Sequence, residues 1–357
     1  MRRFRSLAHA CRAAALTLAV AGGVLPALFA GSAAALVAGS AAAQGTSGGQ
    51  AGAAPDMLAL DAAVRQQSCT IEQVRRFPTA EGGFTGVREQ LQVAANGTNT
   101  PDFAVTFLGV EGEPPGSPLH VRWQQAYARH GHRFVTQGGF RVTNFAAAAA
   151  NYTVHDFGPT VRAGRSAHRL VVFPHAFDKS IWLIETDDAT ALPLYAAEFD
   201  AQLQLLTEVE AVVFAPGAAA MSPSTPTGGV ADFASAKAAM GNPPQIIEPV
   251  TTVTSEYQLD RIEVQSDPLN GQWKLTMTYT DGVDQFVVVQ TPGTTDAFAG
   301  LPGKTRGAPV IGRYRDAAMS VLVFWDGGVS FQVAGRGSLH RLDALARDIY
   351  QQALRTN

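Results

Sequence analysis

Short runs in which apolar and polar residues alternate recur along most of this chain, and they constrain its fold more than any other feature. A period of two places successive side chains on opposite faces of a β-strand. The runs predict strands at Val87–Val93, Phe103–Val110, Leu119–Trp123, Phe134–Val142, Asn151–Phe157, His168–Phe173, Ile181–Ile184, Leu194–Phe199 and Leu203–Phe214. Short turns rich in Gly, Pro and Asp separate them, so we expect one antiparallel meander.

Only two helices are predicted beside these strands. The first opens the region, with a break near Cys69, and its apolar side is formed by Leu58, Leu60, Val64, Ile71 and Val74. The second is short and covers Phe145–Asn151, which contains five consecutive alanines. A long sheet must curl over so few helices to bury its apolar face. The predicted fold class is therefore α+β, mostly β, with a curved antiparallel sheet in the form of a half-closed barrel.

The C-terminal part of the chain predicts a smaller antiparallel sheet packed on one helix. Strands are expected at Leu259–Val264, Gln272–Thr280, Val283–Gln290, Met319–Trp325 and Val329–Ala334. Asp281-Gly282 is typical of a hairpin turn, because Gly accepts a positive φ and Asp tolerates it. Leu342, Leu345, Ile349 and Leu354 have the spacing of an apolar helical stripe.

Segments of biased composition divide the chain into five predicted parts. Residues 1–43 are a signal peptide, 44–56 a flexible linker, 57–215 a first domain, 216–244 a second linker rich in Pro, Gly and Ala, and 245–357 a second domain. Pro and Gly at the density found after Pro216 disfavour helix and strand, although a short helix is expected at Asp232–Met240.

The N-terminal segment has the order of an export signal. Arg2, Arg3 and Arg5 precede a long uncharged apolar stretch, which ends in a small-residue site at Ala41–Ala43. This predicts cleavage after Ala43 and a periplasmic protein. The alternative is an uncleaved membrane anchor, because the stretch is long enough to span a bilayer.

Charge and cysteine content exclude two classes of protein. Residues 1–43 contain four arginines and no acidic residue, so the remaining chain has 23 basic and 30 acidic residues and a net charge of −7. An acidic chain lacks the basic surface that nucleic acid requires. Cys69 is the one cysteine that remains, so the fold does not depend on an internal disulfide.

Four motifs that suggest chemistry fail on inspection. His130-Gly131-His132 lacks further metal ligands at a suitable spacing. Gly164–His168 lacks the second Gly of a hydrolase nucleophile elbow. Asp187-Asp188 is typical of a turn between strands, and Gly300–Thr305 lacks the first Gly of a phosphate loop. The sequence therefore predicts no catalytic, cofactor or metal site.

Several segments resemble the periplasmic sigma-E regulators of the RseB/MucB family. Residues 162–170 read RAGRSAHRL, similar to the family's AGR-x-A-x-R-L strand, and Trp182-Leu183 and residues 190–195 (TALPLY) follow as its next strand and turn do. In the second domain, residues 278–283 (TYTDGV) and 286–289 (FVVV) resemble the family's hairpin. Ala191 stands where the family has Gly, and Glu185 follows Ile184 where Leu-Asp is expected.

The resemblance implies a non-enzymatic regulator of envelope stress whose first domain is similar to the lipoprotein carriers LolA and LolB. Its implied partner is the periplasmic segment of a single-span anti-sigma factor, with a lipid or lipoprotein as a further ligand; a homo-oligomer is left open. The alternatives are a lipid or lipoprotein carrier and, third, a hydrolase.

Four residues are candidates for binding a partner or ligand. Arg165 and Arg169 should share one face of a strand, where they would meet an acidic segment or a lipid phosphate. Trp182 and Trp123 would line or flank an apolar concavity, and the alternative for both is a plain core position.

Overall fold

The computed structural model describes residues 55–79, 83–98, 101–217, 229–243, 245–249, 256–266, 271–293, 312–316, 319–326, 328–336 and 339–356. The predicted signal peptide, almost all of the linker at 44–56 and the segment 300–305 lie outside these residues. The described part forms two antiparallel sheets, of eight and seven strands, and five helices. The predicted mostly-β, α+β class is confirmed.

The eight-stranded sheet and three helices make up the N-terminal region. Its elements are α1 (Met57–Gln66), β1 (Cys69–Pro78), β2 (Phe84–Ala94), β3 (Asp102–Val110), α2 (Pro118–Gln137), α3 (Phe145–Asn151), β4 (Tyr152–Arg162), β5 (Arg165–Pro174), β6 (Ile181–Asp187), β7 (Pro193–Phe199) and β8 (Leu205–Pro216). The strand order is β3-β2-β1-β8-β7-β6-β5-β4. Two meanders, β1–β3 and β4–β8, are thus joined by pairing of β1 with β8, which corrects the prediction of a single meander.

Helix α2 replaces two predicted strands, at Leu119–Trp123 and Phe134–Val142. The Ser117 side chain caps the helix by accepting a hydrogen bond from the His120 backbone N–H (3.2 Å), and Pro118 occupies the first turn. The apparent alternation was misleading, because Val121 is exposed whereas Trp123 packs against the core. The aromatic residues of α2 have helical rather than strand spacing.

The opening helix is also shorter than predicted. Helix α1 ends at Gln66, so Ile71 and Val74 belong to strand β1 and not to the helix. Cys69 is the first residue of β1, and its side chain is completely buried. The predicted break near Cys69 is therefore the start of a strand. The predicted helix at residues 145–151 is confirmed as α3.

The seven-stranded sheet makes up the C-terminal region. Its elements are β9 (Gly229–Val230), α4 (Phe233–Ala239), β10 (Gln258–Ser266), β11 (Trp273–Thr280), β12 (Gln285–Pro292), β13 (Gly312–Asp316), β14 (Met319–Asp326), β15 (Val329–Gly335) and α5 (Leu339–Thr356). The strand order is β13-β14-β15-β12-β11-β10-β9. Helix α5 packs on β14 and β15 and buries Leu342, Leu345 and Ile349 against them.

Part of the stretch predicted as the second linker packs on this sheet. Strand β9 pairs with β10, and Ala236 of α4 is completely buried in the C-terminal core. The short helix predicted at Asp232–Met240 is thereby confirmed as α4. Where the polypeptide divides into independently folding domains stays a prediction.

Candidate functional site: an arginine ladder and a junction between the sheets

Strand β5 carries most of the AGR-x-A-x-R-L-like motif. Each of its two candidate arginines forms an ion pair with a carboxylate on the neighbouring strand β6. Arg165 donates from Nε to Asp187 Oδ1 (2.6 Å) and from Nη2 to Asp187 Oδ2 (3.1 Å). Arg169 donates from Nε to Glu185 Oε1 (2.9 Å). Because antiparallel pairing places Arg169 opposite Glu185, both arginines project from the same face of the sheet, as predicted.

A third arginine, Arg162, joins this row from the end of β4. Its Nε donates to Glu185 Oε2 (2.7 Å) and its Nη1 to Glu210 Oε1 (2.5 Å). The guanidinium also lies over the ring of Tyr195, 4.7 Å from its centroid. Arg76 of β1 reaches the other oxygen of Glu210 (3.0 Å), which continues the row across the sheet. We name Arg76, Arg162, Arg165 and Arg169 the arginine ladder.

Two carboxylates of the ladder, those of Glu185 and Asp187, are buried beneath partly exposed arginines. The side chains of Glu185 and Asp187 are 1% and 2% exposed, whereas Arg162, Arg165 and Arg169 retain 25–30%. The hydrogen bond to Asp187 raises the pKa of Arg165 further above its ordinary value, so the cation is held in its charged form. Fixed, charged guanidinium groups with an exposed edge are suited to an acidic partner, since each has five N–H donors.

Arg162 and Arg76 were not identified as candidate binding residues from the sequence, because their ion-pair partners are distant in the chain. Glu185 and Glu210 lie 23 and 48 positions from Arg162, and only strand pairing brings them together. A bulge in β4 between Asp156 and Pro159 shifts the register before Arg162, so alternation alone does not fix the face to which it points.

One of the two candidate tryptophans lies on a different element from the one predicted, and the other lies in the core. Trp123 is on helix α2 and stacks on Phe77, with ring centroids 4.6 Å apart. Trp182 is on β6 as predicted, but its ring is 1% exposed and packs in the core with Phe140. The guanidinium of Arg336, which follows β15 in the other sheet, covers Trp182 at 4.8 Å from the ring centroid.

Arg336 also approaches a buried carboxylate. Its Nη1 lies 3.2 Å from Glu198 Oε2, and both side chains are almost completely buried. Glu198 pairs with Trp182 across β6 and β7, so one arginine of the C-terminal sheet contacts both residues of this pair. Trp182 is therefore a contact between the two sheets.

The turn between β11 and β12 makes the second contact between the sheets. The carbonyl of Gly282 accepts from the Thr143 backbone N–H (2.8 Å), and Asp281 Oδ2 accepts from the Tyr152 hydroxyl (2.8 Å) and Lys179 Nζ (2.5 Å). Val283 is buried in the N-terminal core with Trp182. We name residues 281–284 the junction loop.

The geometry around the remaining motifs offers no catalytic arrangement in the described residues. His168 Nδ1 lies 2.8 Å from Asp188 Oδ1, but both are on or beside a strand, without the strand-to-helix turn of a nucleophile elbow. Asp187 accepts from the backbone N–H and hydroxyl of Thr190, which is turn chemistry as predicted. The described residues contain no cluster of three or more potential metal ligands. The side chains of His130 and His132 lie outside them.

No helix in the described part of the chain has the length and apolarity needed to cross a membrane.

Comparison with known proteins returns matches among solved structures. Neither a family model nor a curated protein matches the chain. Two similar structures are MucB in complex with MucA(peri) (17% identity, 81% of this chain and 95% of that chain, TM-score 0.44) and the MucA/MucB complex of Pseudomonas aeruginosa (18%, 81% and 95%, TM-score 0.45). Another is an outer membrane lipoprotein-sorting protein domain from Vibrio parahaemolyticus (9%, 47% and 94%, TM-score 0.20). The first two contain a protein of the RseB/MucB family that the sequence motifs resemble.

Proposed function

We propose that this protein is a non-enzymatic, periplasmic regulator that binds the periplasmic segment of an anti-sigma factor through the arginine ladder. The observation that carries the proposal is the position of the RseB/MucB-like motif. Most of its residues belong to β5, and they place Arg165 and Arg169 on one face of the strand over buried carboxylates, with both arginine side chains partly exposed. Export follows from the leader at residues 1–43, with cleavage after Ala43.

The chemistry of the ladder favours an acidic peptide. Arg165 and Arg169 each use part of the guanidinium group on Asp187 or Glu185, and their side chains remain 30% and 25% exposed. The exposed part can bind a carboxylate through charge-assisted hydrogen bonds. The inner carboxylates fix the orientation of each guanidinium group before the partner arrives. Pre-orientation lowers the entropy that binding costs.

The experiment is a calorimetric titration of the mature protein with a synthetic anti-sigma periplasmic segment. Changing both Arg165 and Arg169 to Ala should weaken binding about tenfold or more, since 1.4 kcal/mol is a factor of ten. Arg88→Ala is the matched control, because Arg88 is a strand arginine paired with one carboxylate, Glu72, outside the ladder. The control should bind as the wild type does.

A second double variant and one contradicting result complete the test. Replacing Arg165 and Arg169 with Lys keeps the positive charge but removes the planar guanidinium group, so an intermediate affinity is expected. Equal affinity of wild type and the double Ala variant, at unchanged thermal stability, would remove the ladder from the binding site.

A lipid or lipoprotein ligand is the second candidate, with the protein acting as a carrier. It is favoured by the apolar face of β5 and β6, where Leu170, Val172 and Ile184 are buried. Val283 of the junction loop packs on this same cluster, so an acyl chain would have to displace the loop. Titration with micelles of an anionic lipid tests the carrier function, and binding there without any affinity for the anti-sigma segment would favour it over the regulator.

A further inference from the structure

The junction loop carries two carboxylates in a place where water is excluded. Asp281 and Asp284 are 0% and 4% exposed, and they lie three residues apart on one turn. Asp281 Oδ1 accepts from the backbone N–H of Asp284 (2.8 Å), so the loop is tightly closed on itself. Asp284 Oδ2 accepts from the hydroxyl of Tyr257 (2.5 Å).

The cations around this loop contact other acids as well. Lys179 Nζ contacts Asp281 and lies 4.0 Å from Glu256. Arg336 lies beside Glu198. The groups that face Asp284 are Asp281, Glu198, Tyr152, Tyr257, Arg336 and Arg341, and the charged groups next to these are Lys179, Glu256 and Asp178. Lys179 is paired with Asp281 and Arg336 with Glu198, whereas Asp284 accepts hydrogen bonds from the neutral Tyr257 hydroxyl and the Gln285 backbone N–H and has no ion pair among the described residues. A buried carboxyl group in this position is more stable when it is protonated.

We propose that docking of the C-terminal sheet on the N-terminal sheet takes up one proton at Asp284, so that the junction tightens as the pH falls and loosens as it rises. The inference goes beyond the proposed function, because it holds whichever partner binds the arginine ladder. It assigns to residues 281–284 a regulatory role that depends only on their own contacts.

The direction of the effect follows from the pKa of the Asp284 carboxyl group. Burial, reinforced by the charges of Asp281 and Glu198, raises the pKa of Asp284 to about 7. Burial likewise raises the pKa of Tyr257 well above its usual range, so this hydroxyl stays protonated. An undocked, solvated Asp has a pKa of about 3.9. Between about pH 4 and 7 the docked state therefore binds more protons, and docking weakens as the pH rises through this window.

Hydrogen exchange measures docking directly. The Thr143 backbone N–H donates to the Gly282 carbonyl across the junction, so its exchange requires the sheets to separate. In the full-length mature protein its protection factor should fall up to about tenfold for each pH unit between pH 5 and 7. Amides within β5 and β6 should not show this slope.

Two variants test the assignment. Asp284→Asn mimics the neutral carboxyl group, so the protection of Thr143 should become independent of pH. Tyr257→Phe removes the hydrogen bond that stabilises the charged form, so the slope should move to higher pH. Asp156→Asn, in the exposed bulge of β4, is the matched control and should retain the wild-type slope.

Three results would overturn the inference. The first is wild-type protection at Thr143 that does not change between pH 5 and 7, which requires no variant to fold. The second is an equal pH dependence of the protection factors at the β5 amides and at Thr143, because proton binding would then be linked to the whole fold and not to docking. The third is a wild-type slope in Asp284→Asn.

Discussion

Two arginines of this protein lie over an aromatic ring beside a buried glutamate, yet they serve different parts of the structure. Arg162 lies 4.7 Å from the ring centroid of Tyr195 and contacts Glu185, within one sheet. Arg336 lies 4.8 Å from the centroid of Trp182 and approaches Glu198 in the other sheet. The chemistry and the distances are almost the same.

The difference is in burial and in the number of partners. The Arg162 side chain is 25% exposed and shares Glu185 with Arg169, whereas Arg336 is 5% exposed and is the cation next to Glu198. Loss of Arg162 therefore leaves its glutamate paired, and loss of Arg336 leaves Glu198 buried with no other described cation in contact. We infer that the ladder is built for recognition and the junction for holding the sheets together.

The largest effect is expected from Arg336→Ala. Breaking a buried ion pair by removing one partner costs about 3–5 kcal/mol, because the other charge stays buried. Urea denaturation of the variant should show a loss of this size, with protection of the Thr143 amide lost first. The double variant Arg336→Met with Glu198→Gln should recover most of the stability, since no uncompensated charge remains. An Arg336→Ala variant as stable as the wild type would contradict the proposed difference between Arg336 and the arginine ladder.

A somewhat smaller loss is expected from Gly282→Ala. Gly282 has φ of +104°, and a Cβ there would lie 2.1 Å from the backbone nitrogen of Ala148, so the loop would have to move away from α3. Strain and overpacking together predict a destabilisation of about 2–4 kcal/mol, measured by the urea midpoint.

Gly328 provides the matched control for Gly282. It also has a positive φ, of +82°, but the nearest atom to its Cβ position is 3.9 Å away. Gly328→Ala should cost about 1 kcal/mol through backbone strain alone. Equal losses in the two variants would mean that the close approach at the junction contributes nothing.

The sequence predicted much of the fold through local patterns and missed what depends on distant contacts. Strand β2 follows from alternation, because Val87, Glu89 and Leu91 are buried on one of its faces. Helix α2 was mistaken for strand, since Leu119, Val121 and Trp123 alternate by chance while tertiary packing selects the helical face.

The candidate site shows the same division. Arg165 and Arg169 were identified with their shared face, because the motif and the strand period are both local. The junction was not, because Asp281-Gly282 has the composition of an ordinary hairpin turn and its partners Tyr152 and Lys179 lie more than 100 positions away. One signal was present: a turn with an apolar residue, Val283, between two acids is unusual for a turn exposed to solvent.

The smallest effect is expected from Arg162→Ala, and it tests the other half of the comparison. Glu185 keeps its ion pair with Arg169, and Glu210 keeps its pair with Arg76, so no buried charge is left alone. The loss of stability should therefore be no more than about 1 kcal/mol, as for partly exposed ion pairs. Salt should reduce even this contribution, because exposed charges are screened. Urea midpoints for wild type and variant at low and high salt measure both quantities. A loss near that of Arg336→Ala, insensitive to salt, would show that the ladder is as buried in solution as the junction. It would also remove the exposed guanidinium edges on which the proposed partner binding depends.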